Sequence, residues 1–506
     1  MEKKILLPLM VSLTLACVAA GAENIKGRVC CGGKGVGGVE VSDGVSIVRT
    51  DSRGRYTLDL SPESRFVFLS TPSGYISSTR GGETCFWKAV REGERRYDFS
   101  LEKNPQDDTC HEVVVLADPQ ISDAEEFPLL RENVRALSAE AARLRSSRYT
   151  FGVCLGDIVG WNHALYPEYN EIMDSTGLEL RSVIGNHDMT NYGRSFETST
   201  ADYERTYGPT YYSYNVGRIH HIVLNDNFFV GKDWYYIGYL PESQLRWMEE
   251  DLKCVSKETL VVLSVHIPTT LDEKDRTGYY FDYGMISEVL CNKKAVYDIL
   301  APYRALILSG HIHTCNNQMI NERLEEHNIT SLGGAWWCGP VCIDGSPAGF
   351  KVYSFNGTDV SWRFVSCGNL GASSEAESSD EVSASAQCDA DPAEGHLKVY
   401  VDDPMYPGQV VANVWDYDPL WKVQCFADGE KVCDMERFRG VDPLASVLYR
   451  DPSSLKRSWV CAVPTPNLFR AQLPEGAKSI TVRVTDRFNH IWEAAQKSAL
   501  PRCTPR

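Results

Sequence analysis

The chain has 506 residues, of which 43% are hydrophobic and 24% are charged, and its formal net charge is −17. This composition is that of an ordinary globular protein, and the length predicts two to four domains because one core does not grow to this size. The acidic charge excludes a protein that binds duplex nucleic acid through a basic surface. No internal apolar run is long enough to predict a transmembrane segment.

The first 22 residues have the layout of a secretory signal peptide. Two lysines precede an apolar run over residues 5–20, and small residues suited to cleavage follow at 20–22. We therefore predict that residues 1–22 are a signal peptide and that the protein is exported, to the periplasm or to the extracellular space. Lipid anchoring at Cys17 is the less favoured alternative, because Thr14 stands where lipoprotein signals usually have Leu.

Residues 23–105 are predicted to form a small β-sandwich. The segment is rich in glycine, its apolar residues alternate in short runs, and turn signals recur at Ser42-Asp43-Gly44 and Ser52-Arg53-Gly54. The stretch GVGGVEVSDGVSIVRTDSRGRYTLDL resembles the carboxypeptidase-regulatory-like sandwich modules of secreted bacterial proteins. The resemblance implies a structural spacer.

Residues 110–340 have a different pattern, in which apolar strands alternate with helical stripes. Apolar residues recur at helical spacing over residues 129–144 and again over residues 245–252. This alternation predicts a layered α/β domain.

Residues 345–506 are predicted to form a C-terminal β-rich domain. The segments HLKVYV and SITVRV alternate as strands do, and KVYSFNGTDVSWRF has the pattern of a hairpin that turns at Asn356-Gly357. Residues 371–395 contain seven acidic residues and no Lys or Arg, which predicts a flexible, solvated linker.

Five apolar runs of the middle domain end in residue types that bind metal ions. The runs are VVVLADPQ, FGVCLGD, RSVIGNHD, LVVLSVH and ALILSGHIH. The candidate ligands are Asp118, Gln120, Asp157, Asn186, His266, His311 and His313, and His187 and Asp188 lie beside them. Loops that leave the carboxyl ends of neighbouring strands can converge on one cleft. Carboxylate, amide and imidazole together favour divalent transition ions, and Asp157 is the natural candidate to bridge two of them.

The order and spacing of these motifs resemble the calcineurin-like metallophosphoesterase family, whose pattern is D-x-H, G-D, G-N-H-[DE], a lone His and G-H-x-H. GNHD and GHIH in one chain are the most specific part of the match, which spans residues 112–335. The resemblance implies an α/β fold with a four-layer αββα sandwich core, and a hydrolase that acts on phosphoric ester bonds. The flanking segments resemble the N- and C-terminal domains attached to some bacterial members.

The resemblance also implies a role for each motif residue. One ion would take Asp118, Gln120, Asp157 and His313, and the other would take Asp157, Asn186, His266 and His311. The two divalent ions are predicted to be Mn, Fe or Zn, with a bridging hydroxide as the nucleophile. His187 would bind no metal and would act as the general acid, oriented by Asp188, and Asn186 would also contact the phosphate.

Two departures from the family pattern bear on the metals. Gln120 stands where the family more often has His, and its amide oxygen is a weaker and harder ligand. The identity and occupancy of the first ion are therefore open. Gly160 stands where purple acid phosphatases carry a tyrosine ligand, which argues against an Fe(III)–tyrosinate centre.

Several residues near the motifs have two interpretations each. Trp336 and Trp337 are predicted to form an apolar wall for a substrate group such as a sugar or base, and packing against the C-terminal domain is an equal alternative. His163 could reach the rim of the cleft, but a position in a surface loop is favoured. Cys154 is predicted to be a buried thiol. Cys338 and Cys342 could close a small disulfide loop, which the sequence alone does not decide.

These motifs together predict a metal-dependent phosphodiesterase or phosphomonoesterase with a small-molecule, glycan-linked or lipid-linked substrate. Nucleotidase-like or protein-phosphatase-like specificity is one alternative, although nucleotidases usually carry GNHE where this chain has Asp188. A surface protein that binds glycans and has an inert phosphoesterase core is a second alternative. The complete ligand set and the presence of His187 argue against inertness.

Overall fold

The computed structural model of the chain describes residues 23–77, 79–80, 83–190, 193–233, 235–271, 286–368 and 396–497. The predicted signal peptide with Cys17 and the predicted linker at 371–395 lie outside these ranges, so export and the linker stay predictions. Within the described ranges, no helix combines the length and the apolar character needed to cross a membrane.

The N-terminal segment forms a β-sandwich. One sheet contains β1 (Glu23–Cys31), β2 (Lys34–Gly35), β5 (Arg55–Leu60), β7 (Tyr75–Ser77) and β11 (Phe99–Lys103), and the other contains β3 (Glu40–Ser42), β4 (Ile47–Arg49), β6 (Phe66–Ser70) and β10 (Trp87–Ala89). β5 alternates between exposed and buried residues, as a half-buried strand does. Its inward residues Tyr56, Leu58 and Leu60 join the core between the two sheets.

The middle domain contains two sheets. The first sheet has the strand order β24 (Asp359–Ser366), β23 (Gly349–Asn356), β12 (Cys110–Leu116), β13 (Tyr149–Cys154), β14 (Leu180–Ser182), β9 (Glu83–Thr84) and β8 (Thr79–Arg80). The second sheet has the order β15 (Tyr212–Val216), β16 (Ile219–Val223), β19 (Leu260–Ser264), β20 (Arg304–Ser309), β22 (Leu324–Asn328) and β21 (Asn316–Asn321). β17 (Asn227–Gly231) and β18 (Tyr235–Gly238) form a separate hairpin.

Helices and the two sheets are arranged in layers. The described helices of this domain are α1 (Phe127–Arg145), α2 (Tyr166–Asp174), α3 (Ala201–Tyr207), α4 (Glu242–Leu252) and α5 (Lys293–Leu300). α1 packs the predicted apolar stripe, including Leu130 and Leu137, against Val114 of β12. The residues on either side of it in β12, Val113 and Val115, point to the other face and join a second core cluster, which also contains residues of the second sheet, α4 and α5. The predicted four-layer αββα core is therefore confirmed.

The predicted hairpin over KVYSFNGTDVSWRF forms, and its two strands extend the first sheet of the middle domain. β23 pairs antiparallel with β12 from Cys110↔Asn356 to Val115↔Lys351. Its inward residues Phe350 and Val352 complete the core beneath α1. The first sheet therefore continues to residue 366.

Residues 396–497 form a second β-sandwich. One sheet contains β25 (Leu397–Val401), β26 (Gln409–Val414), β29 (Glu436–Val441) and β30 (Pro464–Gln472), and the other contains β27 (Lys422–Ala427), β28 (Glu430–Asp434), β31 (Ser479–Thr485) and β32 (Ile491–Lys497). α6 (Pro443–Leu448) lies in the connection from β29 to β30. Val410, Val414, Val423 and Val482 are among the residues that fill the space between the sheets.

Buried and partly buried ion pairs fix this C-terminal domain on the middle domain. Lys351 of β23 has no exposed side-chain surface and pairs with Asp416. Arg487 pairs with Glu325 of β22 at 3.0 Å and also with Asp418. Buried charges are tolerated only when they are paired and hydrogen-bonded. The contacts therefore define the relative position of the two domains.

The three cysteines discussed from the sequence, Cys154, Cys338 and Cys342, all carry thiols in the structure. Cys154 of β13 is buried, as predicted, and its Sγ accepts a hydrogen bond from the Tyr169 hydroxyl at 3.7 Å. Cys338 and Cys342 do not form the disulfide that the sequence left open. The Cys342 thiol instead lies 2.9 Å from Thr330 Oγ1.

Candidate metal centre

The site lies at the edge where the parallel strands of both sheets end. β12, β13 and β14 run parallel in the first sheet, and β19 and β20 run parallel in the second. All five predicted loops leave this edge, where hydrogen bonds and close approaches connect the candidate ligands Asp118, Gln120, Asp157, Asn186, His266, His311 and His313. The structure therefore brings all seven together.

The turns at this edge have a strained backbone. The dihedral φ is positive at Asp118 (50°), Gln120 (43°), Asp157 (50°), His311 (76°) and His313 (50°). Side chains other than glycine rarely adopt this region, and residues that do so cluster at functional sites. Here the unusual angles coincide with five of the predicted ligands.

Two glycines make these turns possible. Gly156 has φ of 94°, a region that glycine enters without steric penalty. At Gly185 the reason is space, because an added Cβ would lie 2.1 Å from Asp157 N and 2.2 Å from Asp157 Oδ1. The motifs GD and GN therefore need their glycines for different physical reasons.

The carboxylate of Asp157 stands at the centre of the cluster. Its Oδ2 lies 3.3 Å from His266 Nε2 and 3.4 Å from Gln120 Nε2, and its Oδ1 accepts the backbone N–H of His187 at 2.8 Å. The candidate ligand atoms of Asp157, His266 and His311 all lie within 4.8 Å of one another. Asn186 Oδ1 adds an oxygen 3.0 Å from His266 Nε2. These four residues are the set predicted for one ion.

Asp118, Gln120 and His313 complete the candidate ligands around Asp157. The Asp118 carboxylate is fully buried, accepts the backbone N–H of His311 at 2.9 Å and lies 3.8 Å from His313 Nε2. Gln120 Oε1 is buried and has no hydrogen-bond partner among the described residues. A buried acceptor without a donor is costly, so this oxygen is suited to face a cation.

Hydrogen bonds behind the histidines define which ring nitrogen faces the cluster. One ring nitrogen of each contacts a backbone carbonyl: His266 Nδ1 at Leu155 (2.7 Å), His311 Nε2 at Ser287 (3.0 Å) and His313 Nδ1 at Gly334 (3.1 Å). A carbonyl only accepts, so these nitrogens carry a proton and the opposite nitrogens are the ones that can bind a metal. The donor set therefore fits two divalent transition ions.

Burial and neighbouring charges shift the ionisation of the cluster. Burial raises the pKa of Asp118 to about 8 and lowers the pKa of His311 to about 3 and of His313 to about 4. At His266 burial also lowers the pKa, but the charges of Asp157, Asp118 and Asp226 and the hydrogen bond with Asp157 together outweigh it and raise the pKa to about 10. A metal ion at this position would take the place of that proton, so binding would release it.

His187 lies beside the ligands, and its side chain is 25% exposed. Its Nε2 is 4.0 Å from Asp157 Oδ2, and its ring packs against Trp161 with the centroids 4.5 Å apart. The predicted orienting contact from Asp188 is not made. The Asp188 carboxylate accepts instead from Gly185 N–H at 2.9 Å and from Ile158 N–H at 3.1 Å. Asp188 therefore ties together the loops that carry Asp157 and Asn186.

His163, for which the sequence predicted a surface loop or the cleft rim, contacts the loop that carries His187. Its Nε2 donates to the backbone carbonyl of His187 at 3.1 Å, and its Nδ1 lies 3.0 Å from Asp202 Oδ2. The ring stacks on Tyr166 with the planes inclined by 4°. Sequence reasoning missed this contact, because nothing local relates residue 163 to residue 187.

A sixth strand end also contributes, and sequence reasoning missed it. Asp226 follows β16 and accepts the backbone N–H of His266 at 3.2 Å and of Ile267 at 3.0 Å. Asn227 donates to the carbonyl of Ile184, just before the GNHD loop, at 2.8 Å. The signal was in the sequence, because polar residues, Asn225, Asp226 and Asn227, directly follow the strand-like run RIHHIVL.

Glu326 of β22 is a buried carboxyl beneath the His266 loop. Its Oε1 accepts from Thr269 N–H at 2.8 Å and from Ser309 Oγ at 3.0 Å, and burial raises its pKa from 4.5 to about 7. Since the pKa is higher in the folded state, the stabilising effect of this proton is fully present below pH 4.5. It is lost as the pH rises towards 7.

We expect Glu326→Gln, which stays neutral, to remove this decline in the free energy of unfolding between pH 4.5 and 7. Chemical denaturation at several pH values measures it, with Glu322→Gln at an exposed turn as the matched control. The same dependence on pH in wild type and in Glu326→Gln would contradict the assignment.

A cavity of about 510 Å³ opens from the cluster. Its inner end is lined by Gln120, Asp157, Asn186, His187, His311 and His313. Trp336 lines it as well, and its ring stacks on His313 with the centroids 4.0 Å apart. Trp337, also predicted to contact substrate, is not among the described lining residues, and its Nε1 donates to the Pro119 carbonyl at 2.8 Å. Trp336 therefore lines the cavity and also packs with the C-terminal residues Tyr449 and Val460, whereas Trp337 packs on the middle-domain core.

Several solved structures are distantly similar. A dimetal phosphatase from Danio rerio is 14% identical, with 48% of this chain and 92% of that chain covered and a TM-score of 0.35. A purple acid phosphatase from yellow lupin is 11% identical (65% and 66% covered, TM-score 0.39), and a 5'-nucleotidase from Candida albicans is 12% identical (51% and 52% covered, TM-score 0.33). Likenesses this distant say nothing about the substrate of this chain.

Family models match nearly all of the described chain. Calcineurin-like phosphoesterase matches residues 111–315, its N-terminal companion model matches 23–104, and its C-terminal companion model matches 326–492. No curated protein sequence matches. The central model spans all the predicted ligands and both catalytic candidates. The chain belongs to the calcineurin-like phosphoesterase family, whose members are hydrolases of phosphoric ester bonds.

Proposed function

We propose that this chain hydrolyses phosphoesters with two divalent metal ions that share Asp157. The observation that carries the proposal is the buried Gln120 Oε1, which has no donor among the described residues and lies in a cleft with three imidazole nitrogens that contact no backbone carbonyl. The ligand sets would be Asp118, Gln120, Asp157 and His313 for one ion, and Asp157, Asn186, His266 and His311 for the other. Mn, Fe and Zn suit these donors best.

When bound, the ions would lower the pKa of water towards neutrality and offset the charge of the phosphate oxygens. Asn186 turns its Oδ1 towards His266, so its amide N–H groups can donate to a phosphate oxygen. His187 lines the same cavity and reaches it through a partly exposed ring. Burial lowers the pKa of His187, which makes its protonated ring a stronger acid towards a leaving alkoxide.

The position of His187 is held from several directions. Asp157 accepts its backbone N–H at 2.8 Å, His163 donates to its carbonyl at 3.1 Å, and Trp161 packs on its ring. A general acid must lie within hydrogen-bond reach of the oxygen that it protonates, so a fixed ring favours transfer.

Removal and return of metal tests the proposal. We expect the full chain to lose activity towards p-nitrophenyl phosphate and its bis ester after chelation, and to regain it with Mn²⁺, Fe²⁺ or Zn²⁺. Elemental analysis should find two ions per chain in the active form. Activity that survives with no bound metal would contradict the mechanism. Nucleoside monophosphates and phosphopeptides in the same assay test the nucleotidase-like and phosphatase-like alternatives.

A further inference from the structure

The cavity at the metal centre is shared between two domains. Its inner end contains the candidate metal ligands, whereas its outer end reaches the C-terminal domain at Val463 and the start of β30. The residues around the outer end that carry apolar surface are Ile312, Trp336, Ile343, Val463, Pro464 and Pro466. One wall of the outer end therefore comes from a domain that contributes no candidate ligand.

This wall is fixed by direct bonds between the domains. The backbone N–H of Val463 donates to the Ile343 carbonyl at 3.0 Å. Four residues along, Asn467 is buried and donates to the Cys315 carbonyl at 2.6 Å, just after the GHIH loop. The strand that forms the wall is therefore held in place on both sides of Pro464–Pro466.

A second anchor joins the C-terminal domain to the loop of Trp336. Arg457 is only 6% exposed, pairs with Glu126 at 2.6 Å and donates to the Trp336 carbonyl. Glu126 in turn accepts the backbone N–H of Ser122, two residues after Gln120, at 2.8 Å. One buried ion pair thus connects the C-terminal domain to a metal loop and to the tryptophan that lines the cavity.

The chemistry of the outer end differs from that of the inner end. Ile312, Ile343, Val463 and Pro466 are partly buried and turn their remaining surface to the cavity. Trp336 adds a flat ring, one face of which is covered by His313 at an inclination of 17°. Concave apolar surface beside a few polar groups is the usual character of a small-molecule site.

The size of the cavity also exceeds what a phosphate needs. Its volume of about 510 Å³ falls within the range of roughly 300–1,000 Å³ that holds whole drug-sized ligands. A phosphate group at the metal end would fill only a small part of it. The rest is suited to the organic part of the ester.

We infer that the C-terminal domain completes a subsite for the organic group of the substrate, between Trp336 and the segment Val463–Pro466. The subsite takes an apolar, ring-bearing group attached to the phosphate that the metal end holds. The inference rests on the proposed function and adds the class of substrate to it. The C-terminal domain is then a specificity element and not a spacer.

The test compares how one substitution affects two esters, 1-naphthyl phosphate and methyl phosphate. Val463→Trp fills the subsite, and Val447→Trp places the same ring on α6 at a site that is 57% exposed. We expect Val463→Trp to lower kcat/KM for 1-naphthyl phosphate by about ten-fold or more, because the ring loses its buried contacts. The kcat/KM of Val463→Trp for methyl phosphate should change little. The kcat/KM of Val447→Trp should change little for both esters. The intrinsic reactivities of the esters cancel, since each variant is compared with wild type.

Folding and function are separated by further measurements. The melting temperature of each variant reports its fold, and Val463→Ala, which removes bulk, should give a smaller loss on the same ester. Equal effects on both esters in folded Val463→Trp, or none on either, overturn the subsite. If the wild type hydrolyses neither ester, the proposed function is judged by its own assay, which includes the bis ester, and calorimetry with Mn²⁺-loaded protein decides the subsite. If Val463→Trp binds 1-naphthyl phosphate more weakly than wild type does but binds inorganic phosphate equally well, the subsite is supported. If its binding of both is unchanged, the subsite is overturned.

Discussion

Asp157→Ala is expected to lose both metal ions and, with them, more than about 10³-fold of the turnover. The reason is position. Asp157 Oδ2 lies 3.3 Å from His266 Nε2 and 3.4 Å from Gln120 Nε2, so the same carboxylate faces both groups of donors. The other candidate ligands belong to one group each. Removing this side chain therefore weakens two sites, whereas replacing any other ligand would weaken one.

Elemental analysis of the purified variant measures this loss directly. Asp157→Asn is the sharper second variant, because its oxygen can still accept the His187 N–H that Asp157 holds at 2.8 Å. It removes the charge and keeps the loop contact. Asp174→Ala, at an exposed site on α2, controls for the loss of an acidic residue. Two ions per chain in a folded Asp157→Ala variant would show that Asp157 does not bridge.

The ligand positions could be predicted because each one follows a locally recognisable strand. VVVLADPQ and ALILSGHIH each predict, within eight or nine residues, a buried strand followed by polar residues. The structure places the polar residues of both at the cluster. Periodicity and turn residues act over this short range. The layered core could be predicted for the same reason, since β12 alternates its two faces between α1 and the second sheet.

Contacts between distant segments could not be predicted in this way. β23 would have the same pattern in either domain, and only its pairing with β12, about 240 positions away, places it in the first sheet. Trp336 and Trp337 are neighbours with φ of 51° and 62°, and the turn they make sends one ring to the cavity and the other to Pro119. Asp188 was found as part of GNHD, but its partners depend on how two loops meet.

His187→Ala is expected to keep both metal ions and, for an ester with a poor leaving group, to lose about 10²–10⁴-fold in kcat, the range typical of general acid catalysis. None of the contacts that define the two donor groups needs the His187 ring. Its backbone N–H, which Asp157 accepts, survives the substitution. Metal content equal to wild type, measured on the same sample as the rate, therefore separates a chemical role from a structural one. His490→Ala, at a side chain that is 61% exposed, is the matched control.

The dependence on the leaving group identifies the proton transfer. p-Nitrophenolate departs readily without a proton, whereas an alkoxide or phenolate needs one, so the loss in His187→Ala should be small for p-nitrophenyl phosphate and large for phenyl phosphate. If His187 only bound the phosphate, its removal would lower the rate equally for both esters, because they present the same phosphate group. An equal loss would therefore assign His187 to binding, and an undiminished rate would remove it from the mechanism. A larger loss for the poorer leaving group is the result that only an acid at this position explains, since metal ions that neutralise the phosphate do not protonate the departing oxygen.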